Sequence, residues 1–369
     1  MRGGGFTAVA VLWLCAGCAM PSGNLPAIPA VEVEAEQHRQ LLAQARDYYA
    51  QLKHVDEVAF KIRTANRAFC KDVAAQLGLF AGTVRSLPHK YRSVSAEALN
   101  LSWATPGVIS VAAGSPAEAG GITPGDQILA LNGAPVPAES TQKWIDKTVK
   151  INGETPITLT VRHEGHDRAV SVTPVMGCAI PILLRTDVKA NAFTDSRKIV
   201  LFSGVLRLTQ TDADLAVIIG HELAHVNLGH RTKKMQNALL GKLGGAAVDA
   251  GFMLGGIYTG WTFSKHLERV GARAYSVGFE READYVGAYY AARAGYGIAG
   301  AENIWRAMSL EDPNSIRFAK THPTTPARFV FMQKVITEIA DKEKRGLPLV
   351  PNIKVVEERE PEVNTEAGY

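Results

Sequence analysis

The chain has few cysteines, almost no charge excess and no long apolar run beyond its first residues, and each shortage excludes something. Four cysteines in 369 residues are too few for a disulfide scaffold, and none forms the C-x-x-C pairs of a metal knuckle. Lysine plus arginine, 40, barely exceeds aspartate plus glutamate, 36. A dedicated nucleic-acid binder shows a strong basic excess, so no nucleic-acid partner is expected. After residue 18 no stretch is long and uncharged enough to read as a membrane span. Residues 238–260 come nearest, but Lys242 and Asp249 interrupt them; they fit a loop or helix near a site, or a surface resting on lipid. The 46% hydrophobic content is enough to bury a core, and the length fits roughly two or three domains. An enzyme or a binding module remains.

Residues 1–17 read as a secretory signal. Arg2 is the one charge before the short apolar run from Phe6 to Gly17, too short to cross a bilayer. The run ends Leu14-Cys15-Ala16-Gly17-Cys18, which resembles a bacterial lipobox with Cys15 where Leu is usual. The resemblance implies that Cys18 is lipidated and becomes the mature N-terminus, followed by a loose Pro-Ser-Gly-Asn tether. Such a chain sits in the cell envelope on an N-terminal lipid anchor, and Ala19 points to the outer membrane, periplasmic face. Ordinary secretion with nearby cleavage is the alternative. Cys70 and Cys178 are then left as an even pair in an oxidising compartment, so a disulfide is expected, against two buried thiols.

Leu41, Leu42, Ala45, Tyr48, Tyr49 and Leu52 recur at helical spacing, giving a tether and N-terminal helix over 18–56. A second helix is predicted over Val55–Leu79. From about residue 105 the pattern changes to short strands and Gly-Pro turns, with Gly107–Val111, Gln127–Leu131, Ile157–Arg162 and Ala169–Val172 as strands and 139–150 as a helix. The run GSPAEAGGITPGDQILALNG resembles the core of a bacterial PDZ domain, covering about 84–176. Such domains add an extended peptide to a sheet edge, so the resemblance implies a peptide ligand; a structural spacer is the other reading. That family's carboxylate-binding loop carries hydrophobic-Gly-hydrophobic, and Leu99-Asn100-Leu101 is the match read for it, with Asn for Gly.

Beyond Cys178, Lys198–Phe202 predicts a strand and Thr211–Gly229 a long apolar helix, with Thr211 and Asp214 spaced as a capping box. Further helices are predicted over 276–294 and 324–345, and residues 346–369 read as a loose tail. The first of these helices carries His221-Glu222-Leu223-Ala224-His225, an H-E-x-x-H. Spacing of four stacks both imidazoles on one helix face, able to share one zinc. Glu222 lies beside them as a general base toward water. A catalytic zinc needs a third protein ligand. His230 is out of register for it and reads as a structural or surface histidine. Glu280 is the candidate, with Asp284 one turn on to orient an imidazole and Glu282 pointing to solvent.

H-E-x-x-H followed by Glu280-x-x-x-Asp284, preceded by Asn191-Ala192-Phe193 and followed by His322-Pro323 and Arg328, resembles peptidase family M48. The resemblance covers about 57–82 and 178–340, with the PDZ domain between. It implies an α+β fold: a mostly helical gluzincin-type zinc metalloprotease domain with a small sheet, interrupted by a β-rich domain. It implies one zinc per chain on His221, His225 and Glu280, and Glu222 as catalytic base. Asn191, Ala192 and Phe193 would lie by an edge strand where polypeptide substrates pair. His322 would stabilise the oxyanion or reach zinc, unless it is a buried structural histidine, and Arg328 would hold it or contact substrate. Two readings follow: a zinc endopeptidase of envelope quality control, or a PDZ-bearing chaperone or adaptor with a latent zinc site.

Overall fold

A computed structural model describes residues 26–273, 276–311 and 326–353. The signal segment, Cys18, His322 and the tail from 354 lie outside the described residues. The chain divides after Gln40 into two compact units; the core and the candidate sites described below belong to the second. The fold is α+β.

Helix α1 (Ala30–Ala65) buries a stripe that includes Leu42, Ala45, Tyr49, Leu52, Val55 and Ile62, the 3–4 spacing of a core-facing helix. It is one helix where two were expected, and the predicted Val55–Leu79 helix stops at Ala65. The reason is tertiary. The buried Asn66 side chain donates to the carbonyls of Ile62 and Tyr290, each at 2.9 Å, and the following residues are drawn into strands. Strand β1 (Val73–Gln76) pairs antiparallel with a strand at 175–178, and β2 (Leu79–Gly82) pairs with β3 (Gly107–Val111). The segment expected to belong to the peptidase up to residue 82 therefore already contributes the edge strand of the inserted sheet.

That sheet has the order β2-β3-β4-β6-β7, with β4 at Gln127–Leu131, a short β5 (Ala134–Pro135) beside it, β6 at Ile157–His163 and β7 at His166–Val172. The β6–β7 hairpin closes on Glu164 and Gly165, both at positive φ, the backbone of a two-residue turn. Three helices belong to this stretch: α2 (Ser95–Leu99), α3 (Pro116–Ala119) and α4 (Thr141–Asn152). Val108, Ile128, Leu131, Ile145, Val149 and Leu159 form its own core. Residues 84–101 depart from the expected boundary, since Val84, Leu87, Tyr91, Val94 and Leu101 pack into the other core, with the Tyr91 ring 5.4 Å from that of Tyr48.

Strand β8 (Val175–Cys178) returns beside β1, and Cys70 and Cys178 form a disulfide with Cα atoms 5.4 Å apart. The bridge joins the entry and exit of the insertion. The remaining strands make a three-stranded sheet of order β10-β11-β9, from β9 (Ile182–Arg185), β10 (Ala192–Thr194) and β11 (Ile199–Phe202). After α5 (Ser203–Leu206) come α6 (Asp212–Asn227), α7 (His230–Leu254), α8 (Thr262–Arg273), α9 (Ser276–Arg293), α10 (Asn303–Glu311) and α11 (Pro326–Lys344). The Thr211–Asp214 capping box is present. Helix α6 is buried from Asp214 to His225, as an apolar helix must be. The Gly-rich stretch 238–260 is not a loop: it is most of α7 and the turn into α8.

Candidate metal centre and peptide groove

Helices α6 and α9 cross at two glycines. A Cβ on Gly220 would strike the Gly287 carbonyl, and one on Gly287 would strike the backbone of His221. Their absence lets the two backbones touch. That contact brings Glu280, on α9, opposite the two histidines of α6.

The three side chains converge. The Nε2 atoms of His221 and His225 are 3.0 Å apart, and the Glu280 carboxylate lies 3.5 Å from each. All three are buried, and their donor atoms lie within 4.8 Å of one another. Ligand atoms around a tetrahedral zinc with bonds near 2.0–2.1 Å stand about 3.3 Å apart. Two imidazole nitrogens and one carboxylate oxygen at these separations fit such an ion. Glu222, also buried, follows His221 directly on α6.

The surrounding shell is built to hold positive charge there. His221 Nδ1 lies 3.0 Å from Asp284. Burial works against a charge on His221, but its hydrogen bonds to Asp284 and Glu280 prevail and raise its pKa to about 9. Burial also acts to raise Asp284, and Arg328 and His221 outweigh it, holding the carboxyl below its usual range. Arg328 grips Asp284 through Nε at 2.7 Å and Nη2 at 2.6 Å. Its Nη1 lies 3.4 Å from Glu280, and its guanidinium sits 4.6 Å from the Trp305 ring centre. Arg328 was expected to hold His322 or meet substrate. The structure buries it and, among the described residues, pairs it with Asp284 and Glu280; a contact with His322 lies outside the described residues.

His230 is a residue the sequence reading missed. It was read as structural or surface and is buried, its Nδ1 2.8 Å from His225 Nδ1 and its Nε2 3.1 Å from Glu282. Glu282 thus has a partner where solvent was expected. Burial and the neighbouring His225 depress the His230 pKa to about 4, leaving a neutral ring. A proton on Nε2 toward Glu282 would let its Nδ1 accept from His225 Nδ1 and leave the His225 Nε2 lone pair free for a metal. The available signal was position: His230 opens α7 one turn past the H-E-x-x-H helix. Lys234, 3.7 Å from Glu280, was likewise not anticipated.

Ala192 and Phe193 lie in β10, an edge of the three-stranded sheet packed against α6, and the carbonyl of Asn191 accepts from Phe202 N at 3.0 Å. The PDZ triplet is a correction. Leu99-Asn100-Leu101 ends helix α2: Asn100 is left-handed and donates to Gly125 O, and Leu101 is buried in the larger core. A candidate groove lies between edge strand β2 and helix α4. Leu77-Gly78-Leu79 opens that strand, with Gly78 at φ +73°, and satisfies hydrophobic-Gly-hydrophobic without substitution. The groove is a cavity of about 120 Å³ lined by Leu77, Gly78, Ile145 and Val149, and α1 walls its far side with Asp56, Phe60 and Arg63. The Ala81 N–H donates to Gln142 Oε1 at 2.7 Å, and Gln142 Nε2 donates to Leu79 O at 3.4 Å.

A buried His-His-Glu cluster on crossed helices and an inserted β-rich domain with an edge strand would suit a metal-dependent peptidase joined to a peptide-recognition module. Comparison with known proteins agrees: residues 180–336 match the family model Peptidase family M48, and residues 107–163 match the PDZ domain model. The chain thus carries a peptidase family M48 domain and a PDZ domain. The human mitochondrial metalloendopeptidase OMA1 is 28% identical over 160 residues, which are 40% of this chain and 30% of OMA1. The chain therefore spans under a third of that relative's length. Among solved structures, the HtrA3 PDZ domain bound to a phage-derived ligand is 28% identical with a TM-score of 0.22, covering 28% of this chain and 88% of that one. The HtrA-type protease AlgW with a decapeptide is 22% identical with a TM-score of 0.23, covering 28% and 30%.

Proposed function

We propose that this protein is a zinc-dependent endopeptidase of the bacterial cell envelope. It acts on extended or misfolded polypeptides, its PDZ domain recognises substrates or partners, and lipid on Cys18 holds it at the periplasmic face of the outer membrane. The observation that carries the catalytic reading is the convergence of His221, His225 and Glu280 with Glu222 on the same helix. Zinc held by those three residues would supply the Lewis acidity that polarises a scissile carbonyl and acidifies a water.

The chain's own residues supply the rest. Glu222 takes the proton of the attacking water and returns it to the leaving amine. Asp284 and His230 fix the orientation of the two imidazoles, and Arg328 fixes Asp284. Strand β10 offers backbone groups to an extended chain, which is why an unfolded segment suits this site better than a folded surface. His322 belongs to this reading as an oxyanion donor or fourth ligand.

The test compares the zinc-loaded chain and Glu222→Gln on an unfolded protein. Cleavage by the parent and a loss of at least about a hundredfold in the variant, with zinc still bound, is expected. Zinc binding without any Glu222-dependent cleavage would instead support the adaptor reading.

A further inference from the structure

Helices α7 and α8 form a hairpin that leaves the metal centre at His230 and returns toward Glu280. Its two helices meet closely: a Cβ on Gly241, Gly245 or Gly271 would strike the backbone of the opposite helix. With 25 residues in α7, the tip stands about 37 Å along the helix from His230.

That tip has an unusual surface. From residue 250 to 264 no residue is charged. Leu254 is 92% exposed, Tyr258 74% and Ile257 57%. Trp261 is half-exposed and held at φ +60°, a costly conformation for a bulky side chain that persists only where its surroundings enforce it. Those surroundings are well ordered. Asp249 is buried, accepts from the Thr259 hydroxyl, and takes the N–H groups of Phe263 and Ser264 at 3.3 and 2.8 Å. The rings of Phe252 and Phe263 stack at 5.3 Å. The tip is therefore an exposed apolar knob tied to the hairpin by these contacts.

Behind the knob basic residues outnumber acidic ones. Between 231 and 273 there are seven lysines and arginines against two acidic residues, and one of the two, Asp249, is buried. Lys242 and Lys265 flank an apolar depression that also exposes Leu243 and Trp261; Glu268 lines it too, 3.9 Å from Lys242, which leaves Lys265 as its net charge. Exposed apolar residues with Trp and Tyr, backed by a cationic collar, complement an anionic bilayer: the knob enters the acyl boundary, the aromatics sit at head-group level, and the lysines meet phosphates. A second copy on the same face would bring two cationic collars together. Among the described residues no helix is long and apolar enough to cross a membrane, so the contact is peripheral.

We infer that the α7–α8 hairpin docks on an anionic lipid surface through its uncharged tip, independently of any lipid on Cys18. The test uses the full chain carrying Cys18→Ser, which removes acylation, and vesicles of phosphatidylcholine with or without phosphatidylglycerol. The parent should float with the phosphatidylglycerol vesicles, and raised salt should weaken this. Leu254→Glu with Ile257→Glu should lower the partition coefficient at least about tenfold with the melting temperature unchanged. Lys242→Gln with Lys265→Gln should weaken only the phosphatidylglycerol-dependent part. Brominated lipid should quench a fluorescence component that Trp261→Phe removes, a readout on an otherwise unaltered chain. Equal binding by the Leu254/Ile257 variant, or no quenching of Trp261, overturns the inference. So does a chain that ignores vesicles but dimerises through these residues in sedimentation.

Discussion

Removing Arg328 should loosen the whole site although the side chain touches no solvent. It makes two charge-assisted hydrogen bonds to Asp284, at 2.7 and 2.6 Å, approaches Glu280 at 3.4 Å and lies over Trp305. Both carboxylates are buried. Truncation to alanine leaves them without their principal counter-charge, and breaking a buried pair in this way costs about 3–5 kcal/mol. At about 2–4 °C per kcal/mol for a domain of this size, the melting temperature of Arg328→Ala should fall by on the order of 10 °C. Arg328→Lys keeps the charge but not the planar fork, and should lose less. With Arg328 gone, burial pushes the Asp284 carboxyl up and its hold on His221 weakens. Zinc affinity, measured by competition with a fluorescent chelator, should drop by about 10–100-fold. A double-mutant cycle with Asp284→Asn should show a coupling of about 1–3 kcal/mol. An Arg328→Ala protein that melts with the parent and binds zinc equally well would refute the reasoning.

Gly287→Ala should part helices α6 and α9, because the new methyl meets His221 backbone rather than a movable side chain. A loss of about 1–3 kcal/mol by urea unfolding should accompany weakened zinc binding, and wild-type values for both would exclude the close-approach argument. Asp56, whose burial outweighs the Ser110 hydroxyl and Arg63 to push its pKa from 3.8 up to about 6, makes stability depend on pH. The folded state holds this proton more tightly, so the stabilisation is complete below about pH 4 and is lost as pH rises through 6. Its size is about 2–3 kcal/mol. Asp56→Asn should flatten the slope of melting temperature against pH between these values, and an unaltered slope would assign the effect elsewhere. Gln142 occupies the backbone groups of β2 that an added strand would use. Gln142→Ala should therefore tighten binding of an extended peptide in fluorescence polarisation, and unchanged or weaker binding would show that the amide does not compete.

How far the sequence could be read depended on range. The capping box of α6, the spacing of His221, Glu222 and His225, and the pairing of Glu280 with Asp284 are local patterns, visible because helical periodicity ties neighbours to one face. The strands Gly107–Val111 and Gln127–Leu131 and the hairpin after Ile157 were legible for the same reason. The Val55–Leu79 helix was misjudged because β1 and β2 form only by pairing with residues 175–178 and 107–111, and single-residue preferences carry no record of such partners. Leu77-Gly78-Leu79, beside the candidate groove, was passed over with it, since that segment lay inside the expected helix.

Spacing alone pointed to a helix whose histidines could share a metal, to strands after residue 105 and to an even cysteine pair. Only the folded chain decided that Arg328 grips Asp284 and that His230 meets His225. It alone decided that two glycines let Glu280 arrive, and that the Gly-rich stretch is a closely packed helical hairpin with an uncharged tip. Each of these depends on a contact across dozens of residues or more, or on what a face is left without, and neither is encoded in the periodicity of any one segment.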